Sequence, residues 1–561
     1  MKFSQMPYTR PAIEDTKKEL AALIETFERA ETSAAAIDAF MSADSFIESV
    51  SSMGSIAFIR HTIDTNDAFY DAEQTYFDEI GPLLQETLKR LERALLDSPH
   101  RESMEAKFGA VMFKNIEISL KTFDPAIVAD LQQENRLTTE YDKLLASAQI
   151  EFDDKTLTLA QMTPYLEDTD RAVRQAASAA RGAWFLERAD KFDSLYDELV
   201  KTRVKIAKTL GYDDFTELGY LRMTRNCYDK EAVAKFREGV RKYIVPIAAR
   251  LKAEQAGRIG VERLKVYDDA LLFAEGNAKP SGTPEDIFEH GRKMYHELSP
   301  ETGEFIDFML ENELFDVLTR PGKSGGGYCT YIPDHKSAFI FANFNGTSGD
   351  IDVLTHEAGH ALNSHLCRDR APSPLRECTY DTAEVHSMSM EFFAWPWMDG
   401  FFNDADKYRR QHLTSALTFI PYGTMVDEFQ HKVYENPELT PRERNDLWRE
   451  LERVYRPWLD LSDTPFFEEG RRWQYQAHIY ERPFYYIDYC LAQTVALAFW
   501  AEDQKDHAAT WAKYLKFIDC TGTKTFTESI AACGLPSPFD PEMLGALTAA
   551  AAEWLDGQKP L

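Results

Sequence analysis

Two imidazoles four residues apart with a carboxylate beside the first, His356-Glu357-Ala358-Gly359-His360, have the spacing that holds zinc and activates water. Four residues make slightly more than one helical turn, so His356 and His360 stack on one face with their ring nitrogens converging, and Glu357 flanks the ion without binding it. The run Asn345-Gly346-Thr347-Ser348-Gly349-Asp350 offers N-caps for such a helix, and Ile351, Leu354, Ala358, Ala361 and Leu362 follow at helical spacing. Gly359 is a poor helix former: either another segment reaches the ion across it, or two helices simply pack there. The plain alternative is a chance match in a long helical chain rich in Glu.

A third ligand is needed. Downstream, Tyr380-Asp381-Thr382-Ala383-Glu384-Val385-His386-Ser387-Met388-Ser389-Met390-Glu391 is a helix candidate with Glu384 and Glu391 seven apart, hence on one face. We take Glu384 as the ligand, which leaves a fourth position open for water, the arrangement used in peptide hydrolysis. A solvated helix face is the alternative for both glutamates. Against it, Val385, Met388, Met390, Phe392, Phe393, Trp395 and Trp397 make this an apolar part of the chain, where an unpaired carboxylate is costly. His386 lies about 200° around the helix from Glu384 and is expected to face away from the ion.

HEAGH followed by E-V-x-S-x-x-x-E resembles the M3 family of thimet-type oligopeptidases, and more narrowly its oligoendopeptidase F and Pz-peptidase branch. Upstream, Gly325-Gly326-Gly327-Tyr328-Cys329 and Phe341-Ala342-Asn343-Phe344-Asn345-Gly346-Thr347 look like the family's G-G-Y-C and N-F-x-G-T segments. Downstream, His478 and Pro483-Phe484-Tyr485-Tyr486-Ile487-Asp488-Tyr489 look like its His and tyrosine-rich motif, with weaker similarity at Pro7-Tyr8-Thr9-Arg10-Pro11. The resemblance implies one zinc ion per chain on His356, His360 and Glu384, with Glu391 supporting the ligands from behind. It also implies a mainly α, two-lobed helical body with the ion deep in a channel that admits short peptides and excludes folded proteins. Where many relatives have a glycine-rich loop before the tyrosines, this chain has Ile479-Tyr480-Glu481-Arg482-Pro483.

The chemistry expected of such a site follows from charge development. Zinc lowers the pKa of water toward about 7, and Glu357 accepts its proton and later returns it to the leaving amine. Further donors to the oxyanion commonly contribute on the order of 3 kcal/mol each. His478, Tyr486 and Tyr489 are the expected donors, and Tyr485, which shares a helical face with Tyr489, is placed with the substrate. An aromatic core is the competing reading of this stretch. Gly327 to Ile332 and Ala338 to Phe344 read as two strands around a Pro-Asp turn, a sheet edge along which an extended peptide could pair; Gly326, Gly327, Tyr328, Ala342 and Asn343 are the substrate-binding candidates there.

The 561 residues, 44% hydrophobic, suffice for a sizeable core, and helical periodicity predominates. Helices are expected over about 12–146, as in Ala68 to Leu95 with turns at Gly81-Pro82 and Ser98-Pro99, then a hairpin over Ile150 to Leu159 and helix over Asp168 to Thr209. A boundary near 190 separates an N-terminal helical lobe, 1–190, from a catalytic region, 191–561. Seven scattered cysteines and no apolar leader suit the cytoplasm. A formal charge of -30 argues against nucleic acid or anionic membrane as partner; short peptides are the expected partners. Two other readings stay open: a zinc carboxypeptidase of related fold, with Arg471, Arg472 or Arg482 binding a terminal carboxylate, and a non-catalytic helical peptide-binding protein, which would have no use for Glu357.

Overall fold

Polar residues at the starts of the apolar-periodic stretches set the helix boundaries. Thr283 and Thr440 each precede a proline and exchange hydrogen bonds with Asp286 and Glu443 three residues on, opening the helices Pro284–Leu298 and Pro441–Tyr455. The computed structural model describes residues 1–558 and is mainly α, with three small sheets among the described residues. None of those helices is long and apolar enough to cross a membrane.

Near the N-terminus, helices Ile13–Glu28, Ser33–Ile63 and Ala68–Asp97 pack around Leu20, Ile24, Phe27, Phe40, Leu91 and Leu95 in an apolar cluster of their own. A much larger core runs from Phe3 to Leu555. The expected turn at Gly81-Pro82 does not form, because the Ala68–Asp97 helix continues through it to Ser98. Proline removes the N–H that the Asp78 carbonyl would accept. Asn135 Nδ2, on the neighbouring helix Val128–Ala146, donates to that carbonyl at 3.0 Å, and Gln132 Nε2 donates to the Glu79 carbonyl at 2.8 Å. The single helical stretch expected over Asp168 to Thr209 is two helices, Arg171–Leu186 and Ala189–Thr209. The hairpin at Ile150 to Leu157 is present, its Asp153-Asp154 turn in the left-handed region.

Three strands support the site. Ser337–Phe344 is central, paired antiparallel with Tyr328–Ile332 and parallel with Phe315–Leu318. The first pair is the expected hairpin; the third strand, four residues long, carries too short a pattern to be read from sequence. The central strand then turns directly into helix Gly349–Cys367. Asp350 pins that turn by accepting the Asn345 and Gly346 N–H groups at 2.8 Å each, so the HExxH motif starts from a rigid corner. Helices Tyr380–Phe393 and Ala405–Glu435 flank helix Tyr486–Asp503, most of whose side chains are buried.

Candidate metal centre and active site

His356 and His360 project from one face of the Gly349–Cys367 helix, and the Tyr380–Phe393 helix crosses it at Gly359. A Cβ on Gly359 would lie 2.4 Å from the His386 carbonyl oxygen and 2.6 Å from Ser387 Cα, so only glycine lets the helices meet this closely. The crossing carries Glu384 onto the histidines. Its Oε2 lies 3.2 Å from His356 Nε2 and 3.5 Å from His360 Nε2, and one ligand atom from each of the three residues falls within 4.8 Å of the others. Two imidazole nitrogens and one carboxylate oxygen converging on one point fit a divalent zinc ion with a position left over. Burial opposes charge on Glu384, but His360 and His356 outweigh it and hold its carboxyl well below the usual range. His386 faces the opposite way, its ring 5.2 Å from that of Phe517, and burial lowers its pKa to about 3.

Glu391 joins two histidines. Its Oε1 accepts from His356 Nδ1 at 2.7 Å, which leaves the Nε2 lone pair of His356 facing Glu384 and the ligand position. Its Oε2 accepts from His412 Nε2 at 2.8 Å. The Trp395 indole N–H, which can only donate, points at His412 Nδ1 at 3.1 Å, so the His412 proton sits on Nε2 and faces Glu391. His412 stands two turns into the Ala405–Glu435 helix with no motif around it, and nothing in its sequence neighbourhood marks it. Glu357 is buried beside the ligands; burial pushes its carboxyl up while His356 and His360 pull it back.

The tyrosine segment closes the other side. The hydroxyl of Tyr485, a tyrosine expected at the substrate, donates to Glu384 Oε1 and so orients the candidate ligand. Tyr489 and Tyr485 share a face, ring centroids 4.9 Å apart, and Tyr489 Oη is 3.1 Å from His478 Nε2. Tyr486 packs against Phe419, Tyr422 and His478, its ring 5.0 Å from the imidazole. The Tyr422 hydroxyl donates to Gln476 Oε1 at 2.8 Å, which turns the Gln476 amide N–H to His478 Nδ1 at 3.0 Å. His478 therefore presents Nε2–H as a donor, and burial lowers its pKa to about 4, keeping it neutral. Just ahead of Tyr485, Phe484 holds a φ of +69°. Its N–H donates to Gln430 Oε1 at 2.9 Å and its carbonyl accepts from Arg225, whose guanidinium also reaches Asp488 at 3.0 Å. A left-handed residue other than glycine costs on the order of 1 kcal/mol, and these buried contacts hold it.

The glycine loop meets the site at Glu357. A Cβ on Gly327 would stand 3.0 Å from Val353 Cγ1 and 3.4 Å from Glu357 Oε1, a tight fit against the site. Asn343 shapes this loop, donating to the Ser324 and Gly326 carbonyls at 2.9 Å each. Tyr328 turns its ring away onto Phe341 and its hydroxyl to Thr62 at 2.6 Å, so only its backbone lies on the sheet edge. Ala342 is a correction: it is fully buried on the central strand with its carbonyl accepting from Lys323, out of reach of a substrate at the edge. Ser55 Oγ takes the Tyr331 carbonyl at 2.9 Å, which covers the far end of the edge and leaves the Gly327 end open. A cleft of roughly 510 Å³ begins there, lined by Gly326, Gly327, Asn343, Asp352, His412 and Tyr475 among others.

Sequence models of the peptidase M3 N-terminal domain and of peptidase family M3 match residues 3–123 and 164–548. The chain belongs to peptidase family M3. Among solved M3 structures, this chain is similar to Pz peptidase A with an inhibitor, at 48% identity over 100% of both chains and a TM-score of 0.98. It is also similar to an oligoendopeptidase F homolog of Lactococcus lactis, 22% identical over 68% of this chain and 62% of that protein, and to group B oligopeptidase PepB of Streptococcus agalactiae, 23% identical over 59% and 54%. The chain thus aligns with less than two thirds of the length of these two relatives.

Proposed function

We propose that this M3 chain is a zinc-dependent endopeptidase that hydrolyses internal bonds of short oligopeptides. The observation that carries the reading is the convergence of His356, His360 and Glu384, with Glu357 beside them and the exposed glycine loop, residues 325–327, reaching it. Zinc, when bound by those three residues, supplies Lewis acidity that lowers the pKa of water and polarises the scissile carbonyl. Glu357 takes the proton of the attacking water and delivers it to the leaving amine, and its raised pKa suits it to both transfers. His478, kept neutral with its Nε2–H on the Tyr489 hydroxyl oxygen, leaves the Tyr489 phenol proton free to be donated to the oxyanion, and its own Nε2–H can turn to the oxyanion when substrate is bound. Tyr485 and Glu391 keep the ligands oriented, and Tyr486 packs behind His478.

The peptide backbone would pair with the Gly327 end of the edge strand, giving affinity with little side-chain selectivity. The unpaired thiols of all seven cysteines suit a reducing, cytoplasmic setting.

The test is an internally quenched peptide blocked at both ends. Cleavage that a chelator abolishes and zinc restores is the expected result, whereas a carboxypeptidase or a binding protein would leave this peptide intact. Glu357→Gln is expected to keep zinc and peptide while losing about 10²- to 10⁴-fold in kcat. Undiminished turnover by that variant would remove Glu357 from the mechanism.

A further inference from the structure

Ser324 is held on three sides just before the glycine loop. Its N–H donates to the Thr62 carbonyl at 2.9 Å, its carbonyl accepts from Asn343 Nδ2 at 2.9 Å, and its hydroxyl donates to Asp142 Oδ2 at 3.1 Å. Gly325, Gly326 and Gly327 follow as exposed backbone that ends beside Glu357. The foot of the loop rests on the end of helix Ser33–Ile63. There the Gly322 carbonyl accepts from the Thr65 N–H at 2.8 Å and its hydroxyl at 2.7 Å, and Arg320 donates to the Ile63 carbonyl at 3.1 Å.

Asp142 comes from a different part of the chain, helix Val128–Ala146. It has no ion pair among the described residues; the neighbouring Lys143 meets Asp71 instead, at 2.5 Å. Burial pushes its carboxyl up, and the Ser324 hydroxyl is the one hydrogen-bond donor its side chain meets among those residues. A carboxylate drawn out of water without a cation is costly, so this bond carries the site. Tyr141, one residue earlier, reaches the other wall. Its hydroxyl donates to the Gln474 carbonyl at 2.9 Å, and its ring stacks on Tyr480 with centroids 3.9 Å apart. Gln474 and Tyr480 bracket Gln476 and His478, the pair whose hydrogen bond fixes the imidazole tautomer. Adjacent side chains diverge by about 100° on a helix, which lets one turn hold the glycine loop with one residue and the approach to His478 with the other.

We propose that Asp142 is a positioning residue for peptide hydrolysis: it holds Ser324 while Tyr141 holds the turn before His478, so that helix Val128–Ala146 sets the glycine loop at a fixed spacing from the oxyanion donors. A substrate backbone laid on Gly326 and Gly327 is then presented to Glu357 on one side and to His478 and Tyr489 on the other. A shift of about 1 Å caused far from the reacting atoms can lower turnover about 100-fold. The role rests on the endopeptidase reading; the hold of Asp142 on the loop does not.

The bond can be removed from either end. Asp142→Ala and Ser324→Ala are each expected to lower kcat/KM on the blocked, quenched peptide about 10- to 100-fold, mostly through kcat, with zinc content and circular dichroism as in the native enzyme. Asp142→Asn keeps an oxygen for the Ser324 hydroxyl and is expected to recover most of that loss, since no cation depends on the charge. The double Ala variant is expected to be no worse than the poorer single one, because both act through one bond. Additive losses, an Asn variant as impaired as the Ala variant, or native kcat/KM in a folded Ala variant overturns the proposal; Ser324→Ala decides it if Asp142→Ala does not fold. Hydrogen exchange at Gly325 to Tyr328, in zinc-loaded protein without substrate, reads the loop independently of turnover. Faster exchange is expected in both Ala variants than in native protein or Asp142→Asn, and equal exchange in all four also overturns the proposal. A native zinc-loaded enzyme that cleaves no peptide would overturn the endopeptidase reading while leaving the exchange comparison intact.

Discussion

His412 has no place in any local motif, yet it bears on the tautomer of the candidate ligand His356. Trp395 fixes its proton on Nε2, that proton holds Glu391, and Glu391 in turn holds the Nδ1–H of His356. Outer groups of this kind typically account for 10- to 100-fold in metal affinity. His412→Leu is therefore expected to weaken zinc binding by about that factor, read by competition with a chromophoric chelator; unchanged affinity would show that Glu391 orients His356 unaided. The contacts of two neighbouring tyrosines also diverge. Tyr485 and Tyr486 are adjacent in sequence, but the first hydroxyl meets Glu384 while the second ring backs onto Phe419 and Tyr422. A step of about 100° on a helix, taken at its first residue, separates them.

At the scale of elements, the centre depends on one helix crossing. The histidines belong to Gly349–Cys367 and the glutamate to Tyr380–Phe393, and only the missing side chain at Gly359 permits their contact. Gly359→Ala would force the helices apart by a large part of an ångström or strain them, at a cost of about 1–3 kcal/mol. Zinc content is expected to fall along with thermal stability, measured by elemental analysis and melting; full zinc occupancy would mean that the crossing tolerates the shift. The strand pair and the turn into the HExxH helix were legible from alternation and from the Asn-Gly-Thr-Ser-Gly-Asp run, because hairpins and helix starts are written locally. The role within that turn was not. Ser348 does not cap through its side chain; Asp350 folds back instead.

Across the whole molecule, Arg225 ties the first half of the chain to the tyrosine segment. It is buried, holds the Phe484 carbonyl and Asp488, and stacks 4.1 Å from the centre of the Tyr220 ring. Removing one partner of a buried ion pair costs about 3–5 kcal/mol. Arg225→Met is expected to lower the melting temperature and to release Phe484 from its left-handed conformation, so that kcat falls more than KM rises while zinc stoichiometry holds. Arg225→Lys, which keeps the charge without the fork, should recover stability before it recovers kcat. Equal recovery of both would assign Arg225 to stability alone.

The residue types within a turn or two of helix were enough, by themselves, to single out the histidine pair, the glutamate beside it, the glutamate of the next helix and the likeness to family M3. Those signals survive in sequence because periodicity and spacing over a few residues map directly onto one face of an element. Tertiary structure alone decided which groups stand behind the ligands, which tyrosine reaches the carboxylate, that Ala342 is walled off, and that Asn135 repairs the helix at Pro82. Each of these joins residues far apart in the chain, and the pairing depends on where whole helices cross, a quantity that no local pattern encodes.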